Sequence, residues 1–181
     1  MEKIVLLGDS LRLIGYGPHI GKLLGDDYSV WQSEDNGRFA LYTLQALRLY
    51  AEHLDGADVV HWNNGNWDVD DLYGEGVLVS VEDYVKTLVR IAKILKSKAK
   101  RVIFATTIPV RPEYPYADNA RISAYNRAAV DALTPLGVEI DDLYSFVLPH
   151  METYLRKDDN VHLTEEGAAA CAEVVAEMLR K

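Results

Sequence analysis

The stretch Lys3-Ile4-Val5-Leu6-Leu7-Gly8-Asp9-Ser10 runs from continuous apolar residues into a glycine and two polar residues. An apolar run this short, with β-branched residues and a glycine at its end, reads as a strand covered on both faces that stops at an abrupt turn. Four further stretches read in the same way: Tyr28–Gln32, Asp58–Trp62, Arg101–Thr107 and a short Val138–Ile140. Helical periodicity lies between them. Tyr84, Val85, Leu88, Ile91, Ala92 and Leu95 recur at spacings of three and four, with Lys86, Arg90, Lys93 and Lys96 on the remaining arc. A second helix is expected from about Arg38 to Glu52, with Phe39, Tyr42, Ala46, Leu49 and Tyr50 on one stripe. A third follows Asp118, and a last runs from Thr164 to the end with Thr164 as its N-cap. Alternation of this kind predicts a three-layer α/β/α, flavodoxin-like architecture around a five-stranded parallel sheet, in one domain spanning residues 1–181.

Composition narrows the function classes. The chain has 181 residues, and 28 acidic against 19 basic side chains give a net charge of −9, which disfavours nucleic acid or an anionic membrane as a partner. The one cysteine, Cys171, excludes an internal disulfide and a thiolate metal centre; no metal and no cofactor is expected. The first strand lacks the flanks of a signal peptide, and no apolar run approaches the roughly 18–20 residues that span a bilayer. A cytoplasmic location is expected.

In a parallel α/β sheet, ligands bind beyond the C-terminal strand ends. Four polar clusters fall there: Gly8-Asp9-Ser10, Glu34-Asp35-Asn36-Gly37, the stretch Asn63 to Asp68, and Pro109–Tyr116. A fifth, Asp158 to His162, precedes the terminal helix. Together they suit acyl transfer. A serine hydroxyl is a poor nucleophile until a base takes its proton. His162 can be that base, and Asp159, three residues earlier, can hold the imidazole in the required tautomer. The backbone N–H groups of Ser10 and Gly37 and a side-chain amide from the Asn63–Asn66 turn can stabilise the oxyanion. With an ordinary imidazole as base, kcat/KM is expected to rise with pH through an ionisation near 6–7.

These residues carry a resemblance to a known family. Gly8-Asp9-Ser10-Leu11 and Asp159-Asn160-Val161-His162, followed by Leu163-Thr164, are similar to the nucleophile and Asp-x-x-His blocks of the SGNH (GDSL-type) hydrolases. The resemblance extends over essentially the whole chain. It implies Ser10 as nucleophile, His162 as base, Asp159 as orienting acid and Gly37 as an oxyanion donor. In the third block, Gly-x-Asn-Asp, the usual asparagine position is taken by Trp67, while Asp68 keeps its place. The stretch His61-Trp62-Asn63-Asn64-Gly65 resembles a carbohydrate-esterase-like variant, which leaves Asn63 and Asn66 as alternative donors.

Trp67, Tyr73, Tyr114 and Tyr116 can form flat platforms for sugar rings, with Trp67 bordering the substrate. The expected reaction is O-deacetylation of a carbohydrate, on a small-molecule or oligosaccharide ester, with a short-chain carboxylesterase or lysophospholipase/thioesterase as the alternative. A reading of another class is a nucleotide-switch module holding Mg²⁺ through Asp9, or a non-catalytic sugar-binding module; no complete phosphate-loop glycine motif accompanies it.

Overall fold

The computed structural model describes all residues from Met1 to Lys181. Its five strands are β1 (Glu2–Leu7), β2 (Tyr28–Gln32), β3 (Ala57–Asn63), β4 (Ala99–Ala105) and β5 (Glu139–Asp141), all parallel and ordered β2-β1-β3-β4-β5. The helices are α1 (Gly17–Leu24), α2 (Ala40–Ala46), α3 (Ala51–Leu54), α4 (Asn66–Val69), α5 (Val81–Lys96), α6 (Asn119–Leu133), α7 (Leu143–Val147), α8 (Met151–Tyr154) and α9 (Glu165–Leu179). This is the expected three-layer α/β/α arrangement.

The continuous apolar strands make sense once their two faces are separated. Ile4, Leu6, Val59 and Ile103 pack with Ile20 of α1, Leu143 of α7, and Cys171, Val175 and Leu179 of α9. Val5, Leu7, Val60, Trp62, Val102 and Phe104 pack on the other side with Ala40 of α2, Leu88, Ile91 and Leu95 of α5, and Ile122 and Leu133 of α6. Alternate residues of one strand thus serve two cores, because successive side chains point to opposite faces. The long helices start where capping side chains take up free N–H groups: Ser80 accepts from Asp83 N, Asp118 from Arg121 N and Thr164 from Gly167 N.

Besides one-residue extensions of β1 and of both ends of β3, three expected elements differ from the fold. The helix expected over Arg38 to Glu52 is broken. Phe39 is extended (φ −71°, ψ 158°), so α2 starts at Ala40, and after Ala46 the chain tightens through Leu49 N–H to Ala46 O (2.8 Å) and Tyr50 N–H to Leu47 O (3.2 Å). Leu49 consequently points outward and is 63% exposed, while the Tyr50 hydroxyl is held by Ser33 Oγ at 2.9 Å. That tertiary contact overrides an otherwise continuous helical pattern. β4 runs from Ala99 to Ala105 rather than to Thr107, because the Asn126 side chain takes over the Thr107 backbone in both directions (2.9 and 2.8 Å). β5 is displaced by one residue, to Glu139–Asp141.

The strand order reverses direction between β1 and β3, and this switch point is where an open α/β sheet leaves a crevice. Both strands end there in glycines of unusual conformation, Gly8 (φ +143°) and Gly65 (φ +144°). A Cβ on Gly8 would lie 1.9 Å from Asn63 Oδ1, and one on Gly65 would lie 1.9 Å from Thr107 Oγ1. Backbone angle and close approach both demand glycine at these two sharp exits.

Candidate active site

Ser10 follows the sharp exit from β1 and begins a wide helical turn, Leu11–Tyr16, that leads into α1. Its side chain performs no capping, which leaves the hydroxyl free to face the crevice. There Ser10 Oγ lies 2.9 Å from Nε2 of His162, and Nδ1 of His162 lies 3.1 Å from Oδ2 of Asp159. The other Asp159 oxygen accepts the backbone N–H groups of Val161 (3.1 Å) and His162 (3.0 Å). The sharp turn that allows this passes through Asn160 in the left-handed region (φ +67°), a conformation asparagine tolerates. Burial works to raise the Asp159 carboxyl, but those N–H groups and the imidazole together hold it below the ordinary range. The loop is tied down by Arg156 N–H to His162 O (2.9 Å) and by Arg111 N–H to Asn160 O (3.0 Å). Residues 152 positions apart thereby form one hydrogen-bonded chain, with the geometry of a nucleophile, a base and the group that orients it.

The expected oxyanion residues separate into different places. Asn63, the last residue of β3, is turned inward: its Nδ2 donates to Asp9 Oδ1 (2.7 Å) and its Oδ1 accepts from the Tyr16 hydroxyl (3.0 Å). Asn64 likewise holds structure, donating to Arg38 O and Thr43 Oγ1, both at 3.0 Å. Asn66 alone of the three lines the crevice beside Ser10 and His162. The N–H of Gly37 donates to Gly8 O at 2.8 Å, so it holds the second loop against the first strand instead of standing free for an oxyanion. Trp67 sits in α4 rather than in a loop and lines the crevice, with Phe39 edge-on to its ring at 5.6 Å.

The crevice has a volume of about 400 Å³. Tyr114, Tyr116, Leu72 and Val161 complete its apolar walls; Asn36, from the second polar cluster, and Asp70, which lies outside those clusters, add polar groups. Tyr73 stands away from it, 82% exposed. Sequence reasoning had a signal for Asp70, an acid in the long loop after β3, but no means of telling which of the three neighbouring aspartates, Asp68, Asp70 and Asp71, lines the crevice. His61, at the centre of β3, is fully buried and bonded to Asp141 Oδ2 through Nε2 at 3.0 Å, away from the crevice.

Two buried carboxyls set a pH dependence. Burial pushes Asp9 up to about 6, against the donors Asn63 and Leu11 N–H; burial pushes Asp68 up to about 7, against the Ala40 N–H that both its oxygens accept. Asp9 thus releases its proton where an ordinary imidazole does, and a kinetic ionisation near pH 6 is not by itself diagnostic of His162. For Asp68 the folded state holds a proton that the unfolded chain releases near 3.8. The folded state therefore binds more protons between those values, and stability falls as pH rises from about 4 to about 7, by about 4 kcal/mol at most. Unfolding of wild type and Asp68→Asn across pH 4–8 is expected to show a shallower fall in the variant, with the part due to Asp9 remaining up to about pH 6. Parallel curves would contradict it.

No protein-family model matches the sequence, and no curated protein matches it. The fold, however, is shared with solved structures. A lipase/acylhydrolase from Enterococcus faecalis superposes with a TM-score of 0.79 at 21% identity, over 99% of this chain and 96% of that one. An acetylxylan esterase from Geobacillus stearothermophilus gives 0.77 at 17% identity, over 99% and 93%. The native aryl esterase of M. smegmatis gives 0.77 at 17% identity, over 99% of both chains. At these identities the likeness is one of fold, and the chemistry rests on the side chains above.

Proposed function

We propose that this chain is a serine ester hydrolase that works through an acyl-enzyme and removes O-acetyl groups from a carbohydrate. The observation that carries the reading is the unbroken chain Ser10–His162–Asp159, at 2.9 and 3.1 Å, opening on a crevice with aromatic walls. His162 Nε2 takes the Ser10 proton as Oγ attacks the ester carbonyl. The C–O bond to the alcohol then breaks, and the same nitrogen returns the proton to the departing oxygen. Water, deprotonated by His162, releases the acid in the second half. The imidazolium formed in each half lies against an ionised Asp159, whose depressed pKa suits that role. The oxyanion is stabilised by the Ser10 N–H, at the start of a helix where such groups lack helical partners, and by the Asn66 amide.

Trp67, Tyr114 and Tyr116 favour a flat, amphipathic alcohol such as a sugar ring, since aromatic faces contact its C–H surfaces. The fold neighbours include an acetylxylan esterase and a lipase/acylhydrolase, which is compatible with ester chemistry. The switch-module reading has less support: Asp9, on which it depends, is fully buried and engaged by Asn63 and Leu11 N–H, and no three His, Cys, Asp or Glu side chains converge as a metal site. The test is a panel of acetylated mono- and oligosaccharides beside p-nitrophenyl esters of increasing acyl length. Acetylated sugars are expected to have the highest kcat/KM. A preference for simple short-chain esters would replace the carbohydrate by a generic carboxylester, and a preference for long acyl chains would overturn the substrate class.

A further inference from the structure

We infer that Asp70 makes this crevice select against anionic alcohols, so that its esters carry a neutral or cationic leaving group and exclude phosphorylated ones. The inference rests on the ester-hydrolase reading and concerns the alcohol side of the same site. Asp70 is the only carboxylate among the side chains lining the crevice, and no lysine or arginine lines it. Asp70 is 9% exposed; its Oδ2 accepts the Tyr114 hydroxyl at 2.9 Å, and its Oδ1 has no partner.

The cations near the crevice are occupied elsewhere. Arg121 donates to the carbonyls of Val69 and Tyr116 and attracts Asp70 without bonding it. Arg38 lies 5.0 Å over the Tyr42 ring, and Arg156 is paired with Asp158 and Asp159. Asp70 is therefore neutralised by no direct ion pair, on a molecule that already carries −9. A cleft whose own lining offers a carboxylate and no cation focuses its field, and an anion entering it meets repulsion that water screens poorly.

Burial raises the Asp70 carboxyl, while the Tyr114 hydroxyl and Arg121 pull it back. Discrimination should accordingly weaken as acid neutralises the group. The same hydrogen bond also fixes Tyr114, so the residue that sets the charge also sets the wall.

The experiment uses three aryl acetates with one acyl group and different para substituents: carboxylate, carboxamide and trimethylammonium. Each enzymatic kcat/KM is divided by the ester's hydroxide-catalysed rate to remove differences in leaving-group reactivity. Wild type is expected to disfavour the carboxylate by about tenfold relative to the carboxamide and to accept the trimethylammonium at least as well as the carboxamide. Asp70→Asn, which keeps an acceptor for Tyr114, is expected to bring the three within about threefold. Raising the salt concentration for wild type, which needs no variant, is expected to shrink the same gap. Equal normalised rates for all three, or a gap unmoved by both salt and Asp70→Asn, overturn the inference and leave the hydrolase reading standing. No hydrolysis of any of the three, by protein that binds no fluorophosphonate, overturns both.

Discussion

Ser10→Ala is expected to lower kcat on a hydrolysed ester by at least about 10³ while leaving the fold unchanged. The size follows from removing the atom that would bond to the acyl carbon: without it, catalysis falls back on oxyanion donors and binding alone. The absence of a folding effect follows from position. Ser10 caps no helix with its side chain, and its hydroxyl makes its one side-chain bond to His162. Steady-state kinetics beside a thermal melt check both halves. A variant that keeps its activity would move the nucleophile away from Ser10.

The second large effect separates two asparagines that look interchangeable in the sequence. Asn66→Ala is expected to lower kcat by about 10²–10³ with little change in melting temperature, the usual result of deleting one side-chain oxyanion donor. Asn63→Ala is expected to act the other way round. Its amide stands between Asp9 and the Tyr16 hydroxyl in a dry interior, so its loss leaves a buried carboxyl oxygen and a phenol short of partners. Stability should fall by about 1–3 kcal/mol, with kcat reduced far less than in Asn66→Ala. Melting temperature and kcat, measured on both variants, distinguish the two roles. If Asn63→Ala loses kcat at unchanged stability while Asn66→Ala does not, the assignments are exchanged.

These two residues also mark where a sequence stops being sufficient. The sheet was legible because its three central strands, β1, β3 and β4, are apolar on both faces and each break carries glycine or polar residues; Ile4 and Val5, feeding opposite cores, follow from the period of a strand alone. The same period extended two residues past His61 places Asn63 on the face of Tyr16 rather than in the crevice. What could not be read was the reach of the strand, since β3 continues through Asn63 while a turn-rich stretch of asparagines suggests an earlier stop. Gly37 shows another limit. Its place in the chain is right for a loop near the nucleophile, but the direction of one N–H depends on Arg12, buried without a carboxylate partner. Arg12 ties Gly8 O, Ser33 O and Asp35 O together and draws the two loops into contact. Nothing local to residue 37 encodes that. The broken helix over residues 38–52 has the same cause, a distant hydroxyl of Ser33 holding Tyr50, and Asp70 became visible only when Tyr114 was brought to it from 44 residues away.

The central claim is that the hydroxyl of Ser10 is activated by His162 and Asp159. Incubation with a fluorophosphonate, followed by peptide mass spectrometry, tests it without any knowledge of the natural substrate. The account predicts a single stoichiometric adduct on Ser10, abolished in Ser10→Ala and strongly slowed in a folded His162→Ala variant. An unlabelled Ser10 in folded wild-type protein, or an adduct formed equally fast without His162, would contradict it.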